Sequence, residues 1–281
     1  MTKTWLITGA SSGLGRLMTE RLLSRGDRVV ATVRHEDSLA DLQKKHGDRL
    51  VVPLLDLTDT AGIRAVLASA FHQLGRIDVL VSNAGYGLFG AAEEVTDVQI
   101  DHQIATNLIG SIQFIRAAIP HLRQQGGGRI VQVSSEGGQI AYPTFSLYHA
   151  TKWGIEGFIE SVAQEVAPFG IDFIIVEPGP TATNFGAGLV SAAPMDIYKD
   201  TPAAAVRRAF SEGSFAVKGD AGRTVDAMVS AADSAKPALR LALCSTAYDS
   251  ISRALAKRLA AIEAQRDVAF SADRDDDYRS R

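Results

Sequence analysis

Tyr148-His149-Ala150-Thr151-Lys152 sets a titratable phenol four residues before an ammonium. On a helix, residues four apart sit one turn above each other, with Cβ atoms about 5–6 Å apart, so both groups would leave one face. A phenol titrates near ~10 and is a poor acid-base group at neutral pH, but a fixed cation favours its ionised form. Lys152 is therefore expected to lower the Tyr148 pKa, and Tyr148 to exchange a proton with a substrate oxygen. His149 is one step round the helix and faces elsewhere, so it is left out of the site. The spacing alone is weak evidence. The rest of the chain decides whether it carries chemistry.

The elements that must position this pair read as alternating short apolar runs and longer helical patterns. Strands are expected near 4–8, 28–33, 50–54, 77–81, 129–133, 171–176 and 239–244, and helices near 14–25, 36–46, 60–74, 97–125, 148–167, 203–212, 221–234 and 246–266. Several runs are apolar throughout, as strands covered on both faces are. The alternation predicts an α/β, doubly wound Rossmann fold, a parallel seven-stranded sheet with helices on both faces and ligands at the carboxyl ends of its strands. One domain over 1–267 is expected. Residues 182–220, with scattered Gly, Pro and aromatic residues, read as a functional insertion over the substrate. Residues 268–281 read as a charged, solvated tail.

Directly after the first strand, Thr8-Gly9-Ala10-Ser11-Ser12-Gly13-Leu14-Gly15 opens a helix. Glycines there let the backbone approach a pyrophosphate, and the N–H groups at the helix start favour negative charge. No Gly-Lys-Ser/Thr ending follows, so a nucleotide triphosphatase is not expected. The second strand ends Ala31-Thr32-Val33-Arg34. An acid at that strand end would bond both ribose hydroxyls, whereas an arginine accommodates a 2′-phosphate. Val33 stands where the acid would be and Arg34 follows, so NADP(H) is preferred over NAD(H), with Arg16 as a secondary phosphate candidate. Asp56-Leu57 falls where it would meet an adenine edge, and Ser82-Asn83-Ala84-Gly85 ends the fourth strand.

With 281 residues, 46% of them hydrophobic, the chain can bury a large core, and a net charge of −3 gives no general attraction for nucleic acid or anionic membrane. Cys244, the one cysteine, cannot form an intramolecular disulfide or a thiolate metal cluster, which suits a reducing cytosol. No metal ligand set, signal peptide or membrane span is read, and a cytoplasmic protein with small-molecule partners is expected.

Taken together, these motifs resemble the short-chain dehydrogenase/reductases, in the single-domain branch with a Thr-Gly-x-x-x-Gly-x-Gly turn and a Tyr-x-x-x-Lys pair. The similarity runs over about 4–183 by motif and to about 265 by architecture. The resemblance implies a catalytic quartet of Asn107, Ser135, Tyr148 and Lys152. Ser135, rather than Ser134, lies thirteen residues before Tyr148, the family's usual spacing. It implies cofactor contacts from Gly9, Ser11, Ser12, Gly13, Leu14, Gly15, Arg34, Asp56, Leu57, Asn83, Ala84, Gly85, Tyr148, Lys152, Pro178, Gly179, Thr181 and Thr183. Ser82 departs from the family's Asn-Asn-Ala-Gly segment.

By this resemblance Tyr148 donates the proton, Ser135 holds the carbonyl oxygen, Lys152 bonds the nicotinamide ribose and Asn107 holds a water leading to solvent. The expected activity is NADP(H)-dependent interconversion of a largely apolar ketone or aldehyde with its alcohol, in a homodimer or homotetramer. Aromatics flanking the site suggest the apolar substrate. The longer epimerase and dehydratase branch has a shorter glycine turn and a larger substrate domain, neither of which is present. An NADP(H)-binding redox sensor without turnover is the remaining alternative.

Overall fold

The computed structural model describes residues 2–274. Along the chain come β1 (Thr4–Ile7), α1 (Gly13–Arg25), β2 (Arg28–Ala31), α2 (Ala40–His46), β3 (Leu50–Val51), α3 (Thr60–Leu74) and β4 (Val79–Ser82). Then follow β5 (Leu88–Phe89), α4 (Asp97–Ile104), α5 (Ser111–Gln124), β6 (Gly128–Val133), α6 (Ser146–Val166) and β7 (Ile171–Pro178). The remainder holds β8 (Val190–Ser191), α7 (Pro202–Ser211), α8 (Ala221–Asp233), β9 (Arg240–Leu243), α9 (Ser245–Glu263) and α10 (Arg266–Ser271).

Seven strands form one parallel sheet in the order β3-β2-β1-β4-β6-β7-β9. The period of two explains why these runs are apolar throughout. Leu6, Val30, Leu80, Ile130 and Ile175 pack with Ile63, Leu67, Phe114, Ile115, Ile155 and Ile159 of α3, α5 and α6. Their neighbours Trp5, Ile7, Val29, Val79, Val131 and Ile174 pack with Met18, Leu22, Leu42, Val225 and Met228 of α1, α2 and α8. The sheet is thus the expected Rossmann-type core with helices on both faces. Strand order reverses at β1, which lies between β2 and β4, and this opens a crevice at the carboxyl ends.

Three elements differ from expectation in ways that matter for the site. The third strand shrinks to Leu50–Val51 because Pro53 has no N–H for the ladder; Leu54 meets Val33 again as an isolated bridge. The helix expected over 97–125 is α4 and α5 joined by a π-helical segment, Ala105–Gly110. The 182–220 insertion contains β8, which pairs in parallel with β5, a 3-10 turn at Asp196–Tyr198, and α7. Of the expected tail, α10 covers the beginning, and residues 275–281 lie outside the described residues. No helix among the described residues is long and apolar enough to cross a membrane.

Candidate active site

A cleft of about 540 Å³ runs across the carboxyl ends of β1, β2, β4, β6 and β7. Of the positions expected from sequence, all line it except Gly15, Asn107 and the secondary candidate Arg16. The glycine turn has the shape that a dinucleotide requires. Gly9 and Gly13 take φ of +67° and +56°, and a Cβ on Gly9 would stand 2.7 Å from Ala84 Cα. Gly15 lies behind the turn, where a Cβ would be 2.4 Å from the Gly9 carbonyl oxygen, so its smallness lets α1 start close beneath the loop. Backbone N–H groups at that start are then free to face an anion. Thr183 approaches Gly13 from the opposite wall.

At the reacting end, α6 carries Tyr148 and Lys152 on one buried face. The Lys152 Nζ lies 5.5 Å from the Tyr148 ring centroid and donates to the Val133 carbonyl oxygen at 2.9 Å. Ser135 is extended at the end of β6, and its Oγ accepts from Gly137 N at 3.0 Å, which leaves its O–H free to donate. The expected lowering of the phenol is not met. Burial pushes the Tyr148 pKa up to about 12; a hydrogen bond from Ser135 pulls it down, and the charges of Glu136 and Glu156 add to the rise. Burial drives the Lys152 ammonium down to about 8, with Glu156 opposing. Removing the phenol from water outweighs the pull of its hydrogen bond with Ser135.

The other expected residues find partners as follows. The Asn107 amide bonds the Tyr86 backbone, its Nδ2 donating to Tyr86 O at 2.8 Å and its Oδ1 accepting from Tyr86 N at 3.1 Å. Through these two bonds its side chain fixes the Gly85-Tyr86 wall. Asn83 donates through Nδ2 to Thr8 O and Gly9 O, while Thr8 Oγ1 accepts from Asn83 N and Ala84 N. It clamps the glycine turn to β4. Ser82 Oγ is sealed in the sheet without a partner among the described residues. Asp56 Oδ1 accepts from Thr58 N and Oγ1, which holds its carboxyl below the usual range. Arg16, the secondary phosphate candidate, is occupied by Glu20, Asp41 and the Ser38 carbonyl. His149 sits outside the reacting centre, as expected. Its Nε2 accepts from Tyr142 N, so Nδ1 carries the hydrogen and donates to Gly137 O at 2.9 Å. The ring thereby braces the loop that presents Ser135.

Three features escaped sequence reading. Glu136, next to Ser135, lines the cleft although only 6% exposed; its position beside the serine was the available signal. Glu156, one turn beyond Lys152, accepts from Ser134 Oγ at 2.5 Å, from Arg240 Nη1 at 2.7 Å and from Gln139 Nε2 at 3.1 Å. It ties the segment on both sides of Ser135 to the helix that carries Tyr148. Glu156→Ala should destabilise the protein by about 2–3 kcal/mol, since three donors lose their acceptor; urea unfolding monitored by tryptophan fluorescence checks this, and a change below ~0.5 kcal/mol would refute it. Third, the buried Glu94 carboxylate accepts from Ala91 N and Met195 N and pairs with Arg207. It fastens the 182–220 insertion over the aromatic wall formed by Tyr142, Phe145, Phe185, Phe210 and Phe215.

Known proteins share this fold. A crystal structure of a short-chain dehydrogenase from Streptomyces avermitilis superposes with a TM-score of 0.89 at 38% identity, covering 97% of this chain and 98% of that one. A short-chain dehydrogenase from Burkholderia cenocepacia, solved with NADP, gives a TM-score of 0.73 at 26% identity over 94% and 97%. The oxidoreductase BOA17 of Botryotinia fuckeliana is 42% identical over 186 residues, which are 66% of this chain and 68% of the relative; other curated relatives are spanned over 62% and 64% of their lengths. The sequence model described as short chain dehydrogenase matches residues 3–193, and the chain, an oxidoreductase with a Rossmann-type nucleotide-binding fold, belongs to that family.

Proposed function

We propose that this protein reduces the carbonyl of a largely apolar ketone or aldehyde with NADPH, and oxidises the corresponding alcohol in reverse. The observation that carries this reading is the meeting of Ser135, Tyr148 and Lys152 at one end of a cleft whose other end is the glycine turn. A nicotinamide cofactor supplies the hydride for the carbonyl carbon. The chain's own residues handle the oxygen. The O–H of Ser135, which otherwise bonds the phenol, donates to it and holds it near Tyr148. Tyr148, protonated throughout the neutral range, gives its proton as negative charge develops there. Lys152, charged below about 8, offsets the phenolate that remains. The aromatic wall and the fastened insertion keep water from the reacting centre.

The cofactor preference rests on Arg34. It stands at the rim of the cleft after β2, exposed, and makes no hydrogen bond or ion pair among the described residues. Val33 beside it is buried and carries no carboxyl to repel a phosphate. The test is oxidation of NADPH and NADH, in parallel, against aldehydes, aliphatic and aromatic ketones, quinones and ketosteroids. Arg34→Ala should lower the NADPH-to-NADH ratio of kcat/KM by roughly 10–100-fold through loss of a charge-assisted contact. A ratio unchanged by the substitution would overturn the NADP preference, and absence of turnover with every carbonyl would overturn the reductase reading.

A further inference from the structure

Glu136 is the carboxyl at the substrate end of the cleft that the proposed chemistry does not use. It is 6% exposed and sits between Ser135 and α9. Its Oε2 accepts from Ser250 Oγ at 2.8 Å. Its Oε1 has no hydrogen-bond partner among the described residues, yet is not among the sealed, unpartnered atoms. The residue lines the cleft. Around it stand Tyr148 and Tyr142, both of which feel its charge, and no lysine or arginine among the described residues pairs with it. Burial accordingly raises its own pKa, against the pull of Ser250. A carboxyl held beside Tyr142 and Tyr148 with no cation bonded to it is costly to keep there, and a donor arriving with the substrate would offset that cost.

We propose that Glu136 is a specificity-determining residue, and that the substrate is a carbonyl compound bearing an O–H or N–H donor close to the reacting carbonyl, which the free Oε1 accepts. This inference rests on the reductase reading above and narrows it. The apolar wall takes the remainder of the substrate, and the pair Ser135 and Glu136 distinguishes the two polar atoms: the carbonyl oxygen receives donors from Ser135 and Tyr148, and the neighbouring hydroxyl or amine donates to Glu136. A site built to bond a substrate donor discriminates against the analogue lacking it far more strongly than an apolar pocket resolves a methylene.

The test uses three aryl ketones matched in size: the plain ketone, its α-hydroxy derivative and its α-amino derivative, each with NADPH. The wild type should favour at least one donor-bearing ketone over the plain one by roughly tenfold or more in kcat/KM. Preference for the amine alone identifies an ammonium as the donor, and preference for both identifies any O–H or N–H. Glu136→Leu should bring the three rates to within about threefold of each other. Glu136→Gln, which keeps an acceptor and the Ser250 bond, should lose preference for the amine and retain part of that for the hydroxyl. NADPH fluorescence titration confirms that each variant is folded; if the leucine variant fails it, the glutamine variant decides. Wild-type turnover with equal rates for all three ketones, or a preference that survives both substitutions, overturns this inference alone. No turnover with any of the three, where other carbonyls of the wider panel are reduced, also overturns this inference alone; no turnover with any carbonyl of that panel overturns the reductase reading.

Discussion

Tyr148→Phe should reduce kcat for carbonyl reduction by roughly 10²–10⁴-fold, the usual loss when a positioned general acid is removed, while NADPH still binds. The substitution deletes one oxygen from a buried ring. The ring contacts with Phe145 and Phe185 survive. Stopped-flow hydride transfer and fluorescence titration of NADPH separate the two effects. The wild-type pH profile adds an independent check. The phenol, pushed up to about 12, stays protonated and available as an acid over the neutral range. Lys152, at about 8, loses its charge as pH rises through that value, so reduction should decline on the alkaline side near 8, well before the tyrosine titrates. The stability contribution has the opposite sign. Between about 8 and the lysine's ordinary 10.5 the unfolded chain binds more protons at this position than the native one, so the Lys152 contribution to stability rises with pH there. An alkaline limb only above pH 10, or a phenylalanine variant within tenfold of the wild type, would remove Tyr148 and Lys152 from these roles.

Gly9→Ala should weaken NADPH binding by roughly 10²-fold or more, as displaced backbone donors lose an anionic partner. Two constraints act on one atom. At φ +67° an alanine is strained, and its methyl would stand 2.7 Å from Ala84 Cα and 2.9 Å from Ala84 Cβ. Ala84 cannot retreat without cost, because its N–H donates to Thr8 Oγ1 and the neighbouring Asn83 amide holds Thr8 O and Gly9 O. The turn itself must move, and with it the N–H groups at the start of α1. Isothermal titration with NADPH measures the loss. The remainder of the sheet should hold, with a stability decrease of about 1–3 kcal/mol; unchanged affinity would show that the turn does not cradle the cofactor.

Much of this architecture is written in local signals. Alternating apolar runs and helical patterns specify the doubly wound sheet, and the glycine turn is recognisable because it follows the first strand. What was not legible depended on distance or burial. Arg240 and Glu156 are 84 positions apart, and neither residue type announces the pairing. The sign of the Tyr148 shift depends on how completely α6 is covered, which a four-residue spacing cannot report. The π-helical segment around Asn107 interrupts no polar pattern in Thr106-Asn107-Leu108-Ile109-Gly110, so the helix reads as continuous while the structure turns the amide toward Tyr86. Residue type identified Asn107 and Asn83 as important, and only their hydrogen bonds revealed that each holds backbone.

The pairing of β5 with β8 has a consequence for anyone exchanging substrate specificity between members of this family. The insertion over the cleft is contiguous in sequence but not mechanically independent. Val190 N donates to Gly87 O and Ala192 N to Phe89 O, while Gly90 N reaches back to Thr144 O beside the serine-bearing loop. Met195 N and Arg207 both end on Glu94. A transplant cut at 182 and 220 would therefore carry half of a two-stranded ribbon into a host that lacks the other half, leaving edge donors and a buried carboxylate without partners. The smallest transferable unit is discontinuous, residues 86–95 together with 182–220, and chimeras should be drawn along that seam.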